Sequence, residues 1–234
     1  MIIIYNIVMG KRGSKPRGTV KIKWSADFAY AIGLIVTDGN LSPDGRHIIF
    51  TSKDKEMVDN FQKALKISYK YCMKGPKINP LKRYFVVQIG DVLFYKFLQS
   101  IGLTPNKSKT IGKIKIPEKY LLNFIRGSFD GDGSSYSYWD KRWKSSFLLY
   151  LSFASASERH ILWLKNIISK LIGISGHISN SKARSYYQLR YAKNESIKLF
   201  RYMYKNKRYL YLSRKYLKIK ESLAIVKRQR KNRS

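Results

Sequence analysis

Two stretches of the chain share a pattern of apolar and small residues that ends in an acid and a glycine. The first, AIGLIVTDG, occupies residues 31–39, and the second, IRGSFDGDG, occupies residues 125–133. Small residues recur four positions apart in both stretches, which places them on one helical face. The glycine after each acid suits the position just past a helix C-terminus. The pattern therefore predicts two helices ending at Asp38 and Asp132, in two copies of one unit.

The small-residue faces predict that these two helices pack against each other. Close packing would bring Asp38 and Asp132 together, beside the unpaired carbonyls at the two helix ends. Carboxylate and carbonyl oxygens are the ligands that Mg²⁺ prefers. The sequence therefore predicts a divalent-metal site built from both carboxylates and the carbonyls of Thr37 and Gly131.

The remaining apolar pattern predicts a matching set of elements around each helix. Alternating residues predict strands at 47–51, 84–89 and 186–191, and an amphipathic period predicts a helix at 55–65. The second half carries an insertion at 139–146, which is expected to lengthen a hairpin. Each half is thus predicted to contain a helix, two strands, a helix, two strands and a helix.

This order predicts an α+β fold with two pseudo-symmetric αββαββα halves and antiparallel sheets. We place the halves at residues 24–115 and 116–228, and a closing helix at 209–220. Residues 1–23 form a predicted basic arm, and residues 229–234 a basic tail. In each half, a four-stranded sheet would pack one face on helices and leave the other free.

The net charge indicates the kind of partner. The 234 residues contain 47 Lys and Arg against 14 Asp and Glu, a formal charge of +33. Such an excess opposes compaction unless a polyanion binds, so nucleic acid is the first candidate partner. An anionic membrane surface is the alternative, but no long basic amphipathic helix is evident. The residues of the basic arm around 11–23 either contact DNA or form a solvated leader.

Several classes of protein are disfavoured. Cys72 is the single cysteine, so a disulfide framework is absent and a buried thiol is expected. The three histidines lack metal-ligand spacing, which argues against zinc chemistry. Residues 1–9 are apolar but too short for a membrane span and lack a basic leader. We therefore expect an intracellular protein.

The paired segments resemble the LAGLIDADG homing endonucleases of the single-chain, two-motif type. In that family each signature helix contributes one metal-binding acid at the eighth motif position, which here is Asp38 or Asp132. Val36 replaces the acid of the sixth position in the first copy, so Asp130 is not expected to be essential. Thr37 occupies the seventh motif position, where the family usually has a small residue. The resemblance covers most of the chain, roughly residues 24–228.

The resemblance implies an activity and its cofactor. It implies a monomeric endonuclease, without an obligate protein partner, that cuts both strands of a long specific DNA target and leaves short 3′ overhangs. Mg²⁺ would support hydrolysis, Mn²⁺ could replace it, and Ca²⁺ would support binding without cleavage. A non-cleaving relative that binds DNA or RNA, such as an intron maturase or a transcription factor, is the alternative; retention of both acids favours cleavage.

The same resemblance implies that the two free sheet faces form a concave saddle over DNA. Reading every second residue of the second half gives candidate contacts, namely Tyr136, Tyr138, Arg142, Lys182, Arg184, Tyr186, Gln188 and Arg190. The first-half candidates are Arg46, Lys77, Lys82 and Arg83. Arg and Gln are the side chains that read guanine and adenine edges in the major groove. The alternative is a merely solvated sheet face.

One further catalytic candidate follows from aligning the halves through Phe97 and Leu199. The alignment places Lys193 opposite Asp91, where the family commonly has a basic residue that stabilises charge on the phosphate. Lys193 is therefore a catalytic candidate in the second half, with Lys53 as the compensating residue in the first. The alternative is that Lys193 caps a turn.

Overall fold

A computed structural model describes residues 18–79, 82–143, 146–181, 185–206 and 208–231 of the chain. The fold is α+β with two four-stranded antiparallel sheets among these residues, as the sequence predicts. The first half contains α1 (Ala26–Asp38), β1 (Gly39–Leu41), β2 (His47–Ser52), α2 (Lys55–Leu65), β3 (Cys72–Lys74), β4 (Tyr84–Gly90) and α3 (Val92–Ser100).

The second half repeats this order and adds one helix. Its elements are α4 (Leu121–Asp132), β5 (Ser134–Trp139), β6 (Phe147–Ser155), α5 (Glu158–Ile172), β7 (His177–Ser181), β8 (Tyr186–Tyr191), α6 (Lys193–Met203) and α7 (Ser213–Lys231). Short 3₁₀ turns lie at Lys107–Lys109 and Glu118–Tyr120 in the connection between the halves. The β5–β6 hairpin is longer than β1–β2, which confirms the predicted effect of the insertion.

The ends of α1 and α4 follow from local sequence. Ser25 caps α1 by accepting a hydrogen bond from the Phe28 amide at 3.0 Å, which satisfies one of the free N–H groups of the first turn. A 3₁₀ turn at Glu118–Tyr120 precedes the second helix, so α4 itself begins at Leu121. Both helices end at the predicted acids, Asp38 and Asp132.

α1 and α4 pack in direct backbone contact at the centre of the molecule. A Cβ added to Gly127 would lie 2.1 Å from the Tyr30 carbonyl oxygen, and one added to Gly33 would lie 2.4 Å from the Phe124 carbonyl oxygen. Both positions require glycine because no side chain fits between the two backbones. The predicted small-residue faces therefore set the distance between the helices.

Each sheet packs one face on the helices and presents the other face outward. The strand orders are β1-β2-β4-β3 and β5-β6-β8-β7. Phe50 pairs with Val87 in the first sheet and Phe153 with Leu189 in the second, and all four are buried in the core that the two halves share. The alternate residues of the same strands form the outward face.

The structure corrects two expectations from the sequence. Cys72 is exposed rather than buried, because it lies on β3, an edge strand with three exposed residues. The closing helix begins at Ser213, after the predicted start, and runs through Lys231 into the predicted tail. Val226, just before that tail, is buried in one cluster with Phe147 and Leu149, so this end of the helix packs on the second sheet.

The start of the described chain is attached to the first half. The amides of Thr19 and Val20 donate to the Asp91 carboxylate at 2.6 and 2.8 Å, and Val20 is buried. These two residues of the predicted arm thus contact the folded core, while residues 1–17 lie outside the described part. No helix in the described part is long and apolar enough to cross a membrane.

Candidate active site and nucleic-acid interface

The two predicted acids lie together at the paired ends of α1 and α4. A Cβ built on Gly131 would lie 2.5 Å from Asp38 Oδ2 and 1.9 Å from Thr37 Oγ1, so the Asp38 side chain reaches the last turn of α4. Thr37 Oγ1 donates to Asp38 Oδ2 at 2.8 Å. The end of α4 therefore lies against the carboxylate of α1, between the two sheets.

Burial shifts the protonation of both carboxyls. Loss of solvation and the negative charge of Asp132 together raise the pKa of Asp38 from 3.8 to about 6, while the hydrogen bond from Thr37 and the two nearby lysines oppose the rise. Burial likewise raises the pKa of Asp132, while Lys215 and Lys107 lower it. Asp38 is partly buried and Asp132 is exposed to solvent. Two carboxylates this close repel each other, so a cation between them would stabilise their ionised forms.

Two buried lysines flank the acids. Lys107 is 6% exposed and Lys215 is 8% exposed. Lys107 Nζ donates to the Gly39 carbonyl. Lys215 Nζ donates to three carbonyls of the α4 end, those of Phe129 at 2.8 Å, Gly131 at 2.8 Å and Gly133 at 2.6 Å. Each central helix thus has one ammonium group at its negative end.

Desolvation lowers the pKa of both lysines, that of Lys215 to about 8, while nearby carboxylates act against the shift. Lys215 therefore remains mainly protonated at neutral pH. The carbonyl of Gly131, which the sequence predicts as a metal ligand, is the acceptor of one of its hydrogen bonds.

The donor set fits a hard divalent cation at this point. No group of three or more His, Cys, Asp or Glu suited to a metal occurs in the part of the chain that the structure describes. A metal would therefore depend on the two carboxylates, a backbone carbonyl and water, which is a ligand set that Mg²⁺ accepts.

A cavity of about 190 Å³ with both polar and apolar walls lies beside Asp132. Its lining includes Thr37, Lys107, Ser128 and His160. Ser128 is 3% exposed and its Oγ has no hydrogen-bond partner among the described residues. His160 Nδ1 lies 2.9 Å from the Gly112 carbonyl oxygen. The cavity has room for several waters next to the acid.

A buried polar cluster beneath the acids holds the segment that leads to Lys215. Arg126 is fully buried and donates to the carbonyls of Leu210 at 2.8 Å and Met203 at 3.1 Å. Asp130 accepts from the Leu212 amide and from the Tyr30 hydroxyl, each at 2.8 Å. Burial raises the pKa of Asp130 to about 6. Asp130 therefore has structural contacts that the sequence did not reveal.

The two lysines that the sequence predicts for catalysis lie at the ends of secondary-structure elements. Lys193 is the first residue of α6 and is partly buried, and Lys53 is exposed just after β2. The positive charges that act most strongly on the two carboxyls belong to Lys215 and Lys107 instead. The halves align as predicted, but the lysines come from the connection after α3 and from the start of α7.

The outward face of the second sheet brings several predicted DNA contacts together. Tyr136 stacks on Tyr138 and on Tyr150, with ring centroids 6.3 and 4.9 Å apart. The Arg190 guanidinium lies 5.6 Å from the centre of the Tyr136 ring, and its Nη2 donates to Gln188 Oε1 at 2.8 Å. We call this group, with Tyr186 on the same face of β8, the tyrosine–arginine face.

The remaining predicted DNA contacts are more dispersed. Arg142, in the β5–β6 turn, is exposed and forms an ion pair with Asp140 at 3.2 Å. Arg46 is exposed in the turn before β2, and Lys77, Lys82 and Arg83 lie in the connection between β3 and β4. Lys182 and Arg184 lie outside the described residues.

Sequence reasoning missed three members of the site, namely Tyr150, Lys215 and Lys107. The sequence pattern contained a signal for the first two of them. Tyr150 alternates with buried Leu149 and Leu151 along β6, so a period of two could have found it. Lys215 follows a helical spacing with buried Ile219 and Ser222, which marks an unusual lysine on an inner helix face. Lys107 lies in a connection without regular periodicity and gave no local signal.

Comparison with known proteins identifies the fold. No protein-family model and no curated protein matches the chain. Full-length DUF199/WhiA from Thermatoga maritima matches 91% of this chain and 67% of its own, with a TM-score of 0.57 at 13% identity. The I-LtrWI LAGLIDADG homing endonuclease bound to target DNA matches 86% of this chain and 89% of its own, with a TM-score of 0.53 at 12% identity.

A third solved structure gives a similar result. The complex of I-DmoI with DNA and Ca matches 76% of this chain and 88% of its own, with a TM-score of 0.50 at 14% identity. At 12–14% sequence identity, the similarity to these structures shows a shared fold. The chain therefore has a LAGLIDADG-like fold, with both signature helices and both sheets present.

Proposed function

We propose that this protein is a metal-dependent, site-specific endonuclease of double-stranded DNA. The observation that carries the proposal is the pair of adjacent carboxylates, Asp38 and Asp132, at the adjoining ends of two central helices between two open sheets. Lys107 and Lys215 flank the pair, and +33 net charge favours a polyanionic substrate. The named homing endonucleases with the same fold support this assignment.

In the proposed mechanism, the two sheets hold the duplex so that the acids lie at its centre. Asp38 and Asp132 would bind Mg²⁺ or Mn²⁺, with Ca²⁺ supporting binding alone. The chemistry that such an ion supplies is activation of water and stabilisation of charge on the departing oxygen. Lys107 and Lys215 add positive charge that is held in place by hydrogen bonds to the helix ends, and such preorganised charge would stabilise negative charge on the phosphate.

A plasmid library with randomised inserts tests this function directly. The full chain is incubated with supercoiled library DNA and Mg²⁺, and linear molecules are recovered and sequenced at their ends. We expect one long recurring site with cuts in both strands, and no linear product with Ca²⁺ or EDTA. Absence of linear product with both Mg²⁺ and Mn²⁺, while DNA still binds, would contradict the proposal.

Duplex affinity is expected to depend steeply on salt. Many Lys and Arg side chains would neutralise phosphates together, and each releases counterions on binding. A plot of log Kd against log salt concentration, measured by fluorescence anisotropy, should have a slope of several units. A slope near zero would exclude nucleic acid as the partner.

The tyrosine–arginine face is expected to contribute base contacts. Arg190→Met should weaken binding to the recovered target by about 1–3 kcal/mol, roughly five- to 150-fold in Kd, and relax specificity at one position. Arg201→Met is the matched control, because Arg201 is exposed on α6 in the helix layer. Equal losses for the two variants would assign Arg190 to general charge attraction.

A second candidate function is binding of DNA or RNA without cleavage. The observation that favours it is the set of hydrogen bonds from Lys215 to the last carbonyls of α4, which satisfies that helix end without a metal. The structural similarity to DUF199/WhiA also supports this candidate. The plasmid library distinguishes the two candidates, because only the endonuclease yields linear product.

A further inference from the structure

The two helix ends at the acid pair are not equivalent. An ammonium group has three N–H donors, and Lys215 directs all three at the end of α4, to the carbonyls of Phe129, Gly131 and Gly133. Lys107 binds the Gly39 carbonyl at the end of α1. Gly39 is the counterpart of Gly133, so the counterpart of Gly131 is Thr37.

The Thr37 carbonyl differs from that of Gly131. Within the described residues, no side-chain hydrogen bond to it occurs, whereas the Gly131 carbonyl accepts from Lys215 at 2.8 Å. An ammonium bound to a carbonyl weakens the binding of a divalent cation to the same oxygen, because the two positive charges repel at that distance. The helix end with a carbonyl available to a metal is therefore that of α1.

The space around the two acids is also asymmetric, because the 190 Å³ cavity lies beside Thr37 and Asp132. The Ser128 hydroxyl in its wall has no partner among the described residues. Mg²⁺ and Mn²⁺ retain several waters when bound to proteins, and such a cavity accommodates them. Lys107 also lines it, but its ammonium is bound to the Gly39 carbonyl.

We propose that the chain binds one divalent ion tightly, at Asp132 and the Thr37 carbonyl, and that Lys215 replaces a second ion at Asp38 and the Gly131 carbonyl. This inference rests on the proposed metal-dependent function and specifies its stoichiometry. Asp38 then balances the charge of Lys215 instead of acting as the main ligand. The two strands of a bound duplex would face one metal site and one lysine site.

Manganese binding to the full chain, without DNA, tests the inference. Free Mn²⁺ is followed by electron paramagnetic resonance during titration at low ionic strength, with circular dichroism to verify folding of each variant. We expect one tight equivalent for the wild type, loss of that equivalent in Asp132→Asn, and its retention in Asp38→Asn. Lys215→Met should bind two equivalents, whereas Lys107→Met, which removes the same charge, should still bind one.

The outcomes separate the inference from the function on which it rests. Two equivalent ions in the wild type would overturn the inference and leave the metal-dependent function intact. Loss of the ion in Asp38→Asn, with its retention in Asp132→Asn, would likewise overturn the inference and leave the metal-dependent function intact. This comparison does not depend on whether Lys215→Met folds. Absence of Mn²⁺ binding in the wild type and all variants would overturn the metal-dependent function itself.

Discussion

Asp132→Asn is expected to abolish cleavage of the recovered DNA target while duplex binding persists. The amide keeps the shape of the side chain but removes the charge that holds the metal. Loss of a metal ligand removes several kcal/mol of transition-state stabilisation, so cleavage should slow by about a thousandfold or more. The rate is measured from the conversion of supercoiled plasmid to nicked and linear forms under single-turnover conditions.

Binding and a second variant provide the controls for this loss. Because one carboxylate fewer repels the phosphates, DNA affinity in Ca²⁺-free buffer should be unchanged or higher. Asp59→Asn is the matched variant, because Asp59 pairs with Lys55 along α2 at 2.8 Å and lies outside the acid pair. Asp59→Asn should cleave at the wild-type rate. Normal cleavage by Asp132→Asn would show that the acid pair is structural.

The acids also predict a pH dependence of stability in metal-free buffer. Folding raises the pKa of Asp38 from 3.8 to about 6, so its contribution to stability is fully present below pH 3.8 and is lost as the pH rises through 6. At about 1.4 kcal/mol per pKa unit, the loss is at most about 3 kcal/mol. Asp38→Asn should therefore be more stable than the wild type at pH 7 in urea denaturation, by up to that amount.

Arg126→Met is expected to destabilise the fold severely. The substitution leaves the carbonyls of Leu210 and Met203 without their donor and removes the ring contacts of Arg126 with Tyr30 and Tyr209. Removing one member of a buried charged cluster costs about 3–5 kcal/mol. This is a large share of the roughly 5–15 kcal/mol that stabilises a typical domain. Urea denaturation followed by circular dichroism measures the change.

Arg201→Met is the matched control, because it removes the same group from an exposed position on α6. A surface change of this kind usually alters stability by about 0.5 kcal/mol or less. Similar unfolding midpoints for Arg126→Met and Arg201→Met would contradict the structural role of the cluster. Any Arg126→Met protein that remains folded should also cleave poorly, because Leu210 lies on the segment that leads to Lys215.

The sequence alone determined the central features of this protein. Small residues at helical spacing predicted the contact of α1 and α4, and the acids at the ends of those helices predicted the candidate site. These features are local, since spacing along a helix fixes which residues share a face. Alternation of polar and apolar residues along β8 likewise predicted that Gln188 and Arg190 share the outward face.

Only the tertiary structure decided which basic residues reach the acids. Lys107 and Lys215 approach the helix ends from segments far away in the chain, and alignment of the halves indicated Lys193 and Lys53 instead. The same holds for Asp130, whose partners Tyr30 and Leu212 come from distant segments. With so many lysines in the chain, local sequence cannot show which ammonium groups are buried, because burial depends on the packing of the connections between elements.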